Sequence, residues 1–358
     1  MHAMKKILLT TLVLTALAAP SLAMQKAFYL LRSTSPGRIT PFQTSLDILK
    51  QQAKSIDILI PQAYRIDSQG ELAGFVDPVT LEVSRKNGVK VMALVTNVGF
   101  NKEKAQVFLS NPESQQKAIT ALLKACRDHQ FYGVQFDFEN IPLTSRDTLT
   151  RFYAKATRVL HDNGFQVSYA VVPVMTSQPA PTAYLNRKYQ NWGGAYDLKA
   201  LGQMGDFVSI MTYDQHEGGT TPGPTAGISY VEAAIKYSLQ FMPPEKLSLG
   251  IPTYSGHWYT SAKKSGESTK INVHLSEISH RQVVDLLQKN KIKPHWDEQD
   301  QLNYAMYIHH WLKEYIFIED RDSFKAKLSL AKKYKLHGIS VFDVGNEDPR
   351  IWDVVKRS

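Results

Sequence analysis

Short apolar runs alternate with longer amphipathic ones along most of the chain. Ala27–Leu31, Ile56–Ile60, Val89–Thr96, Phe131–Glu139, Phe165–Val172, Phe207–Tyr213, Leu247–Pro252 and His337–Asp343 each have the length and apolar density of a buried strand. Between them lie stretches with helical spacing, among them Leu46–Lys54, Pro78–Asn87, Pro112–His129 and Arg146–Asn163. Gly88 and Gly164 stand where two of these helices must stop. Strand–helix alternation predicts a parallel α/β sheet, and eight strands fit a closed (β/α)8 TIM barrel with its working groups at the C-terminal strand ends.

Two stretches break the rhythm. The loop from Pro173 to Gly194 is too long for a bare connector and precedes Tyr196; with Tyr184, Tyr189 and Trp192 it offers aromatic faces suited to sugar stacking or to packing on the barrel. The region 253–318 exceeds what one βα unit needs, and Tyr304–His309 and Tyr315–Ile318 read as strands. A small α+β insertion after strand seven is the expectation.

Composition adds limits. The 358 residues are 43% hydrophobic and 10% aromatic, enough for a large core and against disorder. Lys5 and Lys6, the apolar run 7–19 and Ser21-Leu22-Ala23 have the form of a signal peptide over 1–23, which leaves a single unit over 24–358 and an exported, periplasmic or extracellular protein with no stable membrane anchor. The formal charge of +9 becomes +7 without Lys5 and Lys6. A basic exported protein suits acidic envelope polymers, or needs the charge only for solubility. No dense Lys/Arg run interleaved with aromatics points to nucleic acid. The single cysteine, Cys126, shares a helical face with Ile119, Leu122 and Leu123 and belongs to the core. The eleven histidines include the neighbours His309 and His310 but form no metal-binding pattern, and phosphate-loop and dinucleotide motifs are missing; the chemistry is expected to need no metal and no cofactor.

The candidate chemistry lies in Phe131–Glu139. Alternation puts Tyr132, Val134, Phe136 and Phe138 on one face, and Phe131, Gly133, Gln135, Asp137 and Glu139 on the other. Carboxylates two residues apart on one strand face are about 7 Å apart. Such a pair seldom ionises fully at ordinary pKa values, and one member is pushed toward a proton-donating role.

This strand resembles the signature Asp-Gly-φ-Asp/Asn-φ-Asp-φ-Glu of family-18 glycoside hydrolases, where φ is apolar. Gly133, Val134, Phe136, Asp137, Phe138 and Glu139 match it, whereas Tyr132 and Gln135 replace its first two acidic positions. Met211-Thr212-Tyr213-Asp214 resembles the family's Met-x-Tyr-Asp. Leu249–Pro252 and Gly338–Phe342 continue the likeness over roughly 27–355, with Phe342 where a tryptophan floor is usual. The resemblance implies catalysis by Glu139, Asp137 and Tyr213. Glu139 would be the proton donor, Asp137 would orient a substrate acetamido group, and Tyr213 would bond its carbonyl. Gln135, Met211, Asp214 and Phe342 are implied substrate contacts, and Tyr64, where strand two runs out, is placed with them. Gln135 is expected to hydrogen-bond Asp137 without charge and so to leave Glu139 less strongly tuned than in relatives with an acid there. The implied partner is an N-acetylglucosamine-containing oligo- or polysaccharide: chitin fragments, peptidoglycan or the N-glycan core. The implied reaction is substrate-assisted retaining hydrolysis. The alternative is a family member that binds such glycans with little or no turnover, to which Tyr132, Gln135 and Phe342 point.

Overall fold

The computed structural model describes residues 24–32, 39–176, 182–265 and 268–358. The stretch read as a signal peptide, 1–23, lies outside the described residues. The barrel strands are β1 (Gln25–Leu30), β2 (Ile58–Ile66), β3 (Lys90–Asn97), β4 (Gly133–Asp137), β5 (Gln166–Val171), β6 (Phe207–Ile210), β7 (Leu247–Pro252) and β8 (Gly338–Phe342). Each pairs in parallel with the next, and β8 with β1 closes the ring. The (β/α)8 barrel read from the alternation is the fold observed.

Local chemistry explains where the helices begin and end. Asp77 caps the helix Pro78–Asn87 by accepting from the Val79 and Thr80 amides, and Pro78 costs nothing in a first turn whose N–H groups have no intrahelical partner. Gly88, at φ 70°, ends it in a left-handed cap. Asn111 and Pro112 repeat this start at Pro112–His129, the helix that leads into β4.

Two apolar layers follow from strand alternation. Outward-facing Val134, Phe136, Phe138, Val167 and Val341 join Leu122, Phe152, Leu160 and Leu328 of the helices in one continuous core, where Cys126 is also buried. Truncating one of these fully buried phenylalanines to Ala would cost about 3–5 kcal/mol. Inside the barrel, Ala27, Tyr29, Ile58, Ile60, Met92, Leu94 and Phe207 form a smaller cluster. Above it runs a buried polar girdle. Gln135 accepts from the Tyr29 hydroxyl (2.6 Å) and donates to Ser168 (3.0 Å) and Ser209 (3.2 Å), while Ser340 bridges Ser209 and Ser248 at 2.7 Å each.

The alternation expected for Phe131 and Tyr132 does not hold. Phe131 packs in the outer core, and Tyr132 lies against the interior cluster with Lys90 over its ring. Regular pairing starts only at Gly133, so parity changes there. A Cβ at Gly133 would lie 2.1 Å from the Gln166 carbonyl, which is why glycine opens this strand.

The region after β7 is a five-stranded antiparallel sheet of Ser255–Ser265, Ser268–Ile278, His295–Asp297, Leu302–His309 and Leu312–Ile318, with the helix His280–Asn290 on one face. Ile278, Val283, Ala305, Ile316 and Ile318 form its own small core under that helix. The expected insertion is therefore a sheet-rich one.

Candidate functional site

The C-terminal strand ends open into a pocket of about 880 Å³. Asp137 ends β4 and Glu139 follows it two residues on, Met211, Tyr213 and Asp214 follow the end of β6, Phe342 ends β8, and Glu277 comes from the insertion. Six of the eight residues picked out in the sequence, Glu139, Asp137, Tyr213, Met211, Asp214 and Phe342, thus share one wall-and-floor surface.

The other two lie elsewhere. Gln135 is wholly buried beneath the pocket, and both its amide hydrogens go to Ser168 and Ser209 rather than to Asp137. Tyr64 sits in the outer core against Phe131, with ring centroids 6.4 Å apart, because the register of β2 slips between Gln62 and Tyr64. Gln62 takes the place on the pocket wall. Of the loop aromatics, Tyr184, Tyr189 and Trp192 line the pocket, whereas Tyr196 is buried and donates to the Phe138 carbonyl at 2.8 Å. Within this loop Ala183–Lys188 is a helix and Tyr189–Gly193 a π-turn, while 177–181 lie outside the described residues.

Charge is concentrated at the floor. Burial, then the charges of Asp137 and Asp214, pushes the Glu139 carboxyl well above the ordinary range. Burial also lifts Asp137, to about 7, and the hydrogen bond with Glu139 pulls it back. The two carboxyls interact, and Glu139, with the larger set of raising influences, is the member better suited to carry a proton. Asp137 Oδ1 is buried and has no hydrogen-bond partner in the protein, so a donor on a bound molecule would complete it. Burial raises the Tyr213 hydroxyl far above 10, which keeps it a donor. Desolvation within the pocket, and then the Asp214 charge, lifts Glu277 to about 7.

Several positioning groups carried no motif in the sequence. Asn97, at the end of β3, accepts from the Glu139 amide and donates to the Glu139 carbonyl, both at 2.9 Å, and so clamps that residue from both sides. Asparagine at a strand end is the only sequence signal it left. The Tyr254 hydroxyl donates to Asp214, whose backbone is left-handed at φ 53°. The Phe342 ring stacks on Tyr213 at 5.4 Å and meets Tyr29 at 5.5 Å and Tyr254 at 6.2 Å, and the Phe342–Asp343 peptide is cis. Among the described residues, no group of three or more His, Cys, Asp and Glu side chains is arranged to hold a metal ion.

Similarity to known proteins extends over most of the chain. The sequence profile described as glycosyl hydrolases family 18 matches residues 40–347. The chain is 23% identical over 327 residues to the uncharacterized glycosylase YvbX of Bacillus subtilis, covering 90% of each. Its fold is similar to that of the spore cortex-lytic enzyme SleL of Bacillus megaterium, with a TM-score of 0.78 and 24% identity over 93% of this chain and 73% of that one. A chitinase from Chromobacterium violaceum gives a TM-score of 0.78 and 23% identity over 94% and 98%.

Proposed function

Since the chain belongs to glycosyl hydrolases family 18, we propose that it cleaves β-linked N-acetylglucosamine-containing glycans by substrate-assisted, retaining catalysis. The observation that carries this reading is the floor pair: the Glu139 carboxyl beside Asp137 at the pocket floor, with the buried Asp137 Oδ1 lacking a protein donor. A carboxyl that keeps its proton at neutral pH is a general acid, and an unpartnered carboxylate oxygen suits an amide N–H.

In the first step Glu139 gives its proton to the glycosidic oxygen as the bond from that oxygen to the anomeric carbon breaks. The acetamido carbonyl oxygen of the same sugar attacks the anomeric carbon and forms an oxazolinium ring. Asp137 accepts from the acetamido N–H and offsets the positive charge that develops there, and the Tyr213 hydroxyl donates to the carbonyl oxygen. In the second step the Glu139 carboxylate takes a proton from water, whose oxygen opens the ring with net retention. Phe342 and Trp192 offer apolar faces to the sugar. The names of two structural relatives, chitinase and spore cortex-lytic enzyme, agree with a glycan substrate.

We place this work outside the cytoplasm, on the strength of the 1–23 pattern; amino-terminal sequencing of the secreted product should begin near Met24. The functional test is release of a reporter from short β-1,4-linked N-acetylglucosamine oligomers by the protein and by Glu139→Gln. Turnover that disappears in the variant supports the proposal. Saturable binding without turnover by either protein would replace it with the glycan-binding reading.

A further inference from the structure

The pocket is polarised in a way that the hydrolytic step does not use. Its acids Asp214, Glu217 and Glu277 enter from the β6 and β7 sides, with Glu217 at the border with the basic residues. Its cations enter from the adjoining arc: Lys102 opens the helix that follows β3, and Arg187 and Lys188 end the short helix that follows β5. The Lys102 ammonium reaches the Asn191 side-chain oxygen at 3.5 Å, which ties the two segments into one wall.

These cations are weakly compensated. Lys188 stands 3.6 Å from Glu217, whose same oxygen accepts from the Tyr184 hydroxyl at 2.5 Å. Among the described residues, no carboxylate lies within ion-pair distance of Lys102 or Arg187. The Arg187 guanidinium lies 5.6 Å from the Tyr184 ring centre, a placement that leaves its planar fork open to a carboxylate. Tyr184 and Trp192, beside these charges, supply faces for a sugar ring.

We infer that this wall reads a carboxylate attached to the glycan, so that the preferred substrate is an acidic glycan rather than an uncharged homopolymer. The inference rests on the hydrolase reading only for which sugar sits on the floor. A neutral sugar with an acetamido group meets Asp137 and Tyr213. A neighbouring sugar then presents its carboxylate to Arg187 and Lys102. The same substituent on the β6–β7 side would meet Asp214 and Glu277, so the polarity also sets the direction in which the chain lies.

The test uses two β-1,4-linked oligomers of equal length in which alternate N-acetylglucosamine units carry a 3-O-lactyl group, with the carboxyl free in one and blocked as a methylamide in the other. The expected kcat/KM ratio favours the free acid by about tenfold or more at low salt. It should fall toward unity near 1 M salt, where the Debye length is about 3 Å. The double variant Lys102→Gln, Arg187→Gln should lose the preference at low salt. Equal use of both oligomers, or a preference that survives in the double variant, overturns the inference. Titration of both oligomers into Glu139→Gln reads the same ratio as affinity. If the protein turns over neither oligomer, the hydrolase reading fails while the binding ratio still decides the wall.

Discussion

The floor and the basic wall of the pocket are built by different means, and each mode of construction implies a different kind of work. Floor groups leave the ends of paired barrel strands, with Asp137 and Tyr213 buried and Glu139 and Phe342 half-buried, and are held by hydrogen bonds and ring contacts, as with Tyr254 on Asp214 and Phe342 on Tyr213. Wall groups leave a six-residue helix and the start of another, and their contacts are long and partly exposed. A buried floor shifts pKa values and fixes atoms within fractions of an ångström, which chemistry requires. An open wall acts through charge across solvent, which is enough to select but is screened by salt. Loss of a floor group should therefore appear in kcat, and loss of a wall group in the choice between substrates.

The largest effect should come from the floor. Glu139→Gln keeps shape but removes the transferable proton, and kcat should fall by about 10³-fold, within the usual range for a general acid. Affinity for an intact oligomer, measured by titration calorimetry, should change far less. A variant that retains a tenth of wild-type kcat would take the proton-donor role away from Glu139 and break the contrast between floor and wall.

Next in size is the clamp behind the acid. Asn97→Ala leaves the Glu139 amide and carbonyl without their partners. Stability should drop by roughly 1–3 kcal/mol, the cost of an unsatisfied buried group. Because Asn97 positions Glu139 from behind, kcat should fall about tenfold with KM nearly constant. Steady-state kinetics beside a urea melt separates the two effects, and a rise in KM at constant kcat would mean that Asn97 works on the substrate instead.

Much of this floor could be read before any coordinates, because strand ends carry their chemistry in short contiguous strings. Asp137 and Glu139 close one strand and its run-out, and Met211, Tyr213 and Asp214 follow the end of another. A parallel barrel brings such ends to one rim whatever the loops do. What was hidden depended on register and on distant partners. Alternation alone places Phe131 with Gly133, but the strand begins only at Gly133, two residues later, so that parity does not reach Phe131. Gln135 looked free to serve Asp137, yet Tyr29, Ser168 and Ser209, each from a different strand, already satisfy its amide. Asn97 lies 42 positions from the residue it clamps, beyond any local pattern. The basic wall was equally illegible: Lys102 and Arg187 look like ordinary surface charges until β3 and β5 are known to flank β4.

A smaller effect should appear as a displacement in pH rather than a loss of rate. Glu139 must be protonated for the first step, so kcat/KM falls as pH rises through its raised pKa. The Asp214 charge is one of the influences that hold that pKa up. Asp214→Asn removes it, so the alkaline limb should move to lower pH, on the order of one unit. The position of the limb is the readout, because the height of the profile also reports lost contacts to substrate. An unmoved limb would assign the raised Glu139 pKa to burial and Asp137 alone.

The smallest effect sharpens the boundary of the floor. Tyr64 stands near the end of β2 and on sequence grounds belongs with the substrate contacts, but the slip between Gln62 and Tyr64 turns its ring outward onto Phe131. Burial there lifts its hydroxyl to about 12, so it stays neutral at any working pH. Tyr64→Phe keeps the ring contact and removes only that hydroxyl. It should leave kcat and KM within about twofold, as surface and core changes away from a site usually do. Gln62→Ala, two residues earlier and on the pocket wall, should raise KM several-fold through loss of a polar contact. The pair separates two accounts of β2 that differ by one step of register. If both Tyr64→Phe and Gln62→Ala raised KM, no slip would separate the two, and the rim would be built from the residues that simple alternation selects.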